Sequence, residues 1–163
     1  MAEDKVYAIQ DDYPDNFAWC YGCGRLNKDG YHFRTVWQGD KTLTVYEPPE
    51  KQLHSGGIPG FVYGGFIASL IDCHGTGSAS IAKHRKNGFE PGSGEEPPRF
   101  VTASLHVDYI RPTPQGVMLK AIGEVEEIHP KKMKVEVEVF ADDTLCAKGE
   151  VIAVAMPKTF GKE

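Results

Sequence analysis

Within Val62-Tyr63-Gly64-Gly65-Phe66-Ile67-Ala68-Ser69-Leu70-Ile71-Asp72, two glycines open an apolar helical pattern and one carboxylate stands two turns inside it. Glycines at a helix start let a ligand approach the backbone closely, and the free N–H groups with the positive end of the dipole polarise a carbonyl or an anion. An acid further in can then attack the polarised carbon or take a proton from water. The plainer reading of Asp72 is an exposed helix acid; the glycine pair tips the balance toward chemistry. Its arc of the helix carries Ala68, Ser69, Thr76 and Ala79, all small, so Asp72 is expected to face a cleft or a subunit boundary.

The helix that positions these groups is read over residues 64–83 from a 3.6-residue period, with Phe66, Leu70, His74, Gly77 and Ile81 on one face and Ile67 and Ile71 beside them. His74 on that face reads as a hydrogen-bonded core histidine. Gly75 and Gly77, unfavourable in a helix, imply tight packing. Before the helix, residues 31–37 and 42–46 alternate like a hairpin around Gln38-Gly39-Asp40. After it, residues 86–99 form a flexible loop rich in glycine and proline, followed by strand patterns over 100–111, 117–128, 131–141 and 144–156. Val101, Ala103, Leu105, Val107 and Tyr109 alternate as one buried face, and His106 falls on the polar side as a structural residue. A hairpin, one long helix and an antiparallel meander make an α+β arrangement in which a sheet wraps a single helix. One helix leaves much sheet uncovered, so a second copy is expected across a two-fold axis.

At 163 residues the chain reads as one domain, 1–163, with residues 1–30 as an N-terminal arm. With 40% hydrophobic and 25% charged residues it has ordinary globular composition, and no apolar run suits a bilayer span. A net charge of −5 argues against nucleic acid as the main partner. The basic run Lys83-His84-Arg85-Lys86 reads either as a solvated helix end or as a contact for substrate phosphates. Met1-Ala2-Glu3-Asp4-Lys5 lacks the apolar core of a secretory signal, and four cysteines make no disulfide framework, so a reducing, cytoplasmic setting is expected. Cys20-Tyr21-Gly22-Cys23-Gly24 has the spacing of half a zinc site without a second pair downstream, which leaves zinc, a redox pair and a structural turn as its readings.

The order of elements and the Gly64-Gly65 to Asp72 spacing, with Cys20-x-x-Cys23-Gly24 through Asn27 and Gly30 and the strand end Tyr109-Ile110-Arg111-Pro112, resemble the hotdog-fold acyl-CoA thioesterases. The likeness is to their phenylacetic-acid-degradation branch and covers most of the chain. It implies a hotdog fold, an acyl-CoA substrate, no cofactor apart from the coenzyme A of the substrate, no metal in the reaction, and a homodimer or dimer of dimers. By resemblance Asp72, nine residues after the position of the branch's helix-opening histidine, is the acid. Gly64 then supplies the oxyanion N–H, and Thr102 steadies the acid from the neighbouring subunit. Tyr63, Gly65, His54 and Arg111 fall to substrate binding. Tyr63 stands where the branch has histidine, and Gly57 where it has a water-positioning asparagine, with His54 near enough in sequence to compensate. Rival readings are a non-catalytic acyl-CoA binding protein, a hotdog dehydratase or hydratase, for which no matching acid–histidine pair is present, and a zinc-dependent interaction module.

Overall fold

The computed structural model describes residues 4–162; residues 1–3, part of the acidic start discussed above, and residue 163 lie outside them. Two 3₁₀ turns, Ile9–Asp12 and Asp15–Phe17, precede the strands β1 (Val36–Gln38) and β2 (Lys41–Tyr46) and the helix α1 (Gly64–Lys86). Strands β3 (Phe100–Tyr109), β4 (Leu119–His129), β5 (Lys132–Ala141) and β6 (Thr144–Ala155) follow. All pair antiparallel in one sheet of order β1-β2-β4-β5-β6-β3. This sheet wraps α1, giving the α+β hotdog fold. No described helix is long and apolar enough to cross a membrane.

The helix face read from the periodicity is the buried one: Phe66, Ile67, Leu70, Ile71, His74 and Ile81 are all at most 1% exposed. Phe66, Ile67, Leu70 and Ile71 share one cluster with the inward residues of β5 and β6, among them Val135, Val137, Val139, Val151 and Ala153, whereas Ile81 packs with Ile9 and Tyr13 of the arm. Apolar burial of this kind contributes about 1.5–3 kcal/mol for each large side chain. The close approach expected at Gly75 is real, since a Cβ there would stand 2.5 Å from the Val151 side chain. Ala79, assigned above to the arc of Asp72, is fully buried in the core. The half-exposed stripe is therefore narrower, running through Ala68, Ser69, Asp72 and Thr76.

Two strand expectations change. Only Val36–Gln38 of the first pattern joins the sheet. Upstream, Tyr31 and Phe33 donate their N–H groups to the carbonyls of Tyr21 and Gly22, and Thr35 pairs with Ile9 and Gln10, so the arm takes the hydrogen bonds that a strand would have made. On β3, an edge strand, a bulge between Thr102 and Ser104 breaks the alternation. Leu105 is 39% and Tyr109 54% exposed, so the face expected to be buried is open within one chain. Residues 87–99 hold no regular element; the Gly92 N–H donates to Asp12 Oδ2 at 2.7 Å and Ser80 Oγ to the Pro98 carbonyl at 2.5 Å.

His74 is a satisfied core histidine. Thr44 Oγ1 lies 2.7 Å from its Nδ1 and Thr42 Oγ1 3.1 Å from its Nε2, while Thr42 also reaches Ser78 Oγ at 2.6 Å. Burial pushes its pKa down from 6.5 to about 3. The unfolded chain thus takes up a proton before the folded one does, so this stability is intact above about pH 6.5 and is lost as pH falls toward about 3. Unfolding free energies from urea titrations between pH 7 and pH 4 should fall more steeply for the wild type than for His74→Gln, by a slope approaching about 1.4 kcal/mol per pH unit. Equal slopes would remove His74 as the acid-sensitive group. Gly75→Ala should destabilise by about 1–3 kcal/mol in the same assay, because overpacking against Val151 outweighs the roughly 1 kcal/mol gained in helix propensity.

Candidate functional site

At the mouth of α1, Tyr63 is the N-cap in extended conformation (φ −70°, ψ 145°), and Gly64 and Gly65 form the first turn. The carbonyl of Tyr63 accepts from the Phe66 N–H at 3.1 Å, and that of Gly64 accepts from Tyr109 Oη at 2.7 Å. Each of the two peptide units is therefore held and polarised at its oxygen, while its N–H, belonging to Gly64 or Gly65, is left free by the helix geometry. Side chains have no room here. A Cβ on Gly64 would come within 3.2 Å of the Tyr109 ring, and one on Gly65 within 2.8 Å of the Tyr63 ring.

Beside this mouth lies an apolar cleft of about 410 Å³ lined by Gly57, Ile58, Phe61, Tyr63, Gly64 and Pro112 among others. Arg111, adjoining Pro112, is exposed at its rim and gives its backbone N–H to the Cys146 carbonyl at 3.2 Å. Gly57 is open, with nothing within 4 Å of a Cβ built on it. His54 turns away from the cleft. Its ring stacks on Phe66 at 4.2 Å and its Nε2 lies 2.7 Å from Tyr46 Oη, while its carbonyl receives the Tyr63 N–H at 2.9 Å. Burial lowers the His54 pKa, so the imidazole is neutral and supports the helix entry from behind. Tyr63 Oη lies 3.0 Å from Tyr31 Oη, and burial, with that bond, raises the Tyr31 phenol above its ordinary range.

Asp72 and Thr102 form a second group. The Thr102 hydroxyl donates to Asp72 Oδ1, and both residues are half buried. Burial raises the Asp72 pKa, the Thr102 hydrogen bond lowers it, and the nearby Cys20 adds to the rise. Thr102 was expected from a neighbouring subunit, yet it reaches Asp72 from the same chain. The physical reason is that β3 runs alongside α1, with its bulge immediately after Thr102. Cys20 approaches from the other side: its sulfur, with those of Cys23 and Cys73, forms a cluster with all three atoms within 4.8 Å of one another.

Sequence reasoning passed over Tyr31, Tyr109 and Cys73 as partners of the site. Tyr109 could have been found from its place in the strand end that carried the resemblance; Cys73 could have been found only by placing α1 against the arm. The basic run at the end of α1 is spent on ion pairs, Lys86 with Glu127 at 2.9 Å and Arg85 with Glu90 at 2.6 Å, and His84 is buried. His106 is an exposed partner of Asp108 at 3.1 Å. A further hollow of about 470 Å³ lies among charged residues of the strands, including the Lys41–Glu124 and Lys148–Glu138 pairs. Five carboxylates, Asp108, Glu124, Glu136, Glu138 and Glu150, outnumber its two lysines, and neither Gly64 nor Asp72 borders it.

The thioesterase superfamily model matches residues 59–148, more than half of the chain and a span that includes Gly64, Asp72 and Thr102. A thioesterase superfamily protein from Shewanella loihica PV-4 is 44% identical, over 88% of this chain and 98% of that one, with a TM-score of 0.64. The fold is shared with a phenylacetic acid degradation-related protein from Ralstonia eutropha JMP134, at 16% identity over 77% and 86% of the two chains and a TM-score of 0.58. It is shared too with a thioesterase from Haemophilus influenzae, at 12% identity over 86% and 90% and a TM-score of 0.62. No curated protein matches the chain. The extent of the family match and the identity to the Shewanella protein lead to one assignment: the chain belongs to the thioesterase superfamily.

Proposed function

We propose that this protein hydrolyses an acyl-CoA thioester to the free acid and coenzyme A, as a member of the phenylacetic-acid-degradation branch acting in a reducing, cytoplasmic setting. The observation that carries the reading is the pair of free, polarised N–H groups at the mouth of α1, set on the same helix as an acid that a hydroxyl holds in a half-buried stripe. Such donors stabilise the oxyanion that forms when a thioester carbonyl is attacked.

The helix rise decides how the parts combine. Gly64 and Asp72 are eight residues apart, about 12 Å along the axis, too far for both to attend one carbonyl from a single chain. Two copies of α1 packed antiparallel across a two-fold axis, stripe to stripe, bring the mouth of one to the acid of the other. The unpaired edge of β3 and its exposed Leu105 and Tyr109 favour such a dimer, which also covers apolar surface. In the site so formed, Gly64 N–H holds the carbonyl oxygen, and Thr102 occupies Oδ1 of the acid so that Oδ2 is left to act. Asp72 either takes the proton of an attacking water or attacks the carbon itself, giving an anhydride that water opens. Both routes break the carbon–sulfur bond and release the coenzyme A thiolate, which is then protonated. Tyr63 and the apolar cleft wall the acyl group, and Arg111 at the rim is available to phosphate.

Turnover of a panel of acyl-CoAs should fall about 10²- to 10⁴-fold in kcat for Asp72→Asn. Gly64→Pro removes one N–H at a helix position that tolerates proline and should cost about 10²- to 10³-fold, whereas Gly64→Ala, which keeps the N–H but carries the same Cβ 3.2 Å from the Tyr109 ring, isolates the effect of crowding and should cost less. Undiminished kcat in Asp72→Asn or Gly64→Pro removes that residue from the reaction. Binding of acyl-CoA by the wild type without turnover would instead make it a ligand-binding protein, a reading that the replacement of the branch histidine by Tyr63 keeps open.

Light scattering should give at least twice the 18.0 kDa chain mass. Co-refolding Gly64→Pro with Asp72→Asn chains tests the shared site directly. Half of the randomly assembled dimers then hold one intact site of two, so activity should return to about a quarter of the wild type. If each chain works alone, none returns.

A further inference from the structure

The Cys20-Tyr21-Gly22-Cys23-Gly24 turn does not stand alone in space. Its backbone closes through the Gly24 N–H on the Cys20 carbonyl at 2.8 Å, and it presses on α1 where Cys73 projects between Asp72 and His74. All four cysteines of the chain are free thiols. The Cys20 and Cys73 sulfurs lie 3.8 Å apart, and the Cys23 sulfur lies within 4.8 Å of both. Gly22 permits the approach, because a Cβ there would stand 2.3 Å from Cys73 Sγ. Gly24 permits the turn, because its Cβ would meet the Cys20 backbone at 2.5 Å.

Three arrangements could use such sulfurs. Ordinary apolar packing would not place Cys20, an exposed residue, against two buried thiols. A disulfide joins two sulfurs at about 2.05 Å and leaves the third without a role, although Gly22 makes room for that third sulfur specifically. A metal uses all three. Four ligands at a zinc–sulfur bond of about 2.3 Å stand at the corners of a tetrahedron with edges of about 3.8 Å, the separation already found between Cys20 and Cys73. The Cys23 sulfur needs a shift of at most about 1 Å to complete the edges. Three thiolates select a soft or borderline cation such as zinc over magnesium or calcium.

We infer that Cys20, Cys23 and Cys73 form a zinc site, with solvent water at the fourth corner on the exposed side of Cys20. Among the described residues no fourth side chain joins the cluster. Binding releases the three thiol protons to solvent and requires no redox step. The metal stays outside thioester chemistry. It staples the N-terminal arm to α1 one residue before the catalytic acid's own position is reached from the C-terminal side, so its effect is on stability and on the setting of that stretch of helix. This inference stands whether or not the chain turns over acyl-CoA.

The test uses the full chain, reduced and metal-depleted, titrated with cobalt(II) and separately with zinc(II). Cobalt should give sulfur-to-metal charge-transfer absorption and the strong visible bands of a tetrahedral site, reaching about one equivalent per chain, and zinc should displace it. Zinc should also raise the melting temperature of the depleted protein. Cys20→Ser and Cys73→Ser should each weaken zinc by more than the roughly 10- to 100-fold that loss of an outer partner costs, while Cys146→Ser, away from the cluster, retains full binding. The cobalt titration of the wild type is independent of how the variants fold. A reduced wild-type chain that gives no cobalt–sulfur absorption overturns the inference, as does undiminished zinc affinity in Cys73→Ser or a Cys20–Cys23 disulfide in metal-free protein purified with zinc present.

Discussion

A six-stranded sheet closing on one helix sets the terms for everything else in this molecule. The wide arc of α1, from Phe66 through Ile81, is covered by the sheet and, at Ile81, by the N-terminal arm, and at Gly75 helix and sheet meet so closely that a methyl group has no space. What remains of the helix surface is a narrow stripe of Ala68, Ser69, Asp72 and Thr76. Its side chains are too small to shield one another, so a carboxylate placed there is partly stripped of water without being sealed in. That condition raises the Asp72 pKa, while the Thr102 hydroxyl, which donates to Oδ1, limits the rise.

The same closure explains the mouth of the helix. Free N–H groups at a helix start are common, and most are lost to water or to a capping side chain. Here the N-cap is Tyr63, which offers no capping oxygen to the first turn. Its hydroxyl is directed instead to Tyr31, and the Gly64 carbonyl is taken by Tyr109 from the end of β3. Three tyrosines and His54 thus hold the backbone of the entry while leaving its donors unoccupied. The Tyr63 phenol, tied to Tyr31, forms part of the cleft wall.

Much of this was legible in the sequence because it rests on short periods. The alternation of Met133, Val135, Val137 and Val139 and the helical spacing of Phe66, Leu70, His74 and Ile81 each repeat over several turns or pairs, so a few exceptions do not hide them. Gly64 and Asp72 were legible for the same reason, as positions on one helix. What escaped depends on contacts between distant segments. Tyr31 to Thr35 alternates like a strand, but the arm supplied its hydrogen-bond partners first. The β3 alternation is cut by a bulge that no residue type announces, and that edge strand is one that a single chain leaves uncovered. Cys73 carries no motif at all; only the docking of the turn at Gly22 makes it a neighbour of Cys20.

These distant contacts share one consequence for how the site is set. Asp72 is fixed by α1, whose register along the sheet is held by Gly75 against Val151 and by His74 against Thr42 and Thr44. The arm then bears on the same stretch through Cys20 and Cys73, and β3 reaches it through Thr102. Sheet, edge strand and arm therefore converge on residues 72–75 from three directions, whereas the mouth at Gly64 is held by loops and tyrosine hydroxyls. Packed helix and sheet have few alternative arrangements, but loops have many. In the site proposed above, Asp72 is then the more tightly fixed half and the Gly64 and Gly65 donors the more adaptable half, so the proposed reaction would fit different acyl groups at the cleft beside Gly64 while Asp72 keeps its place.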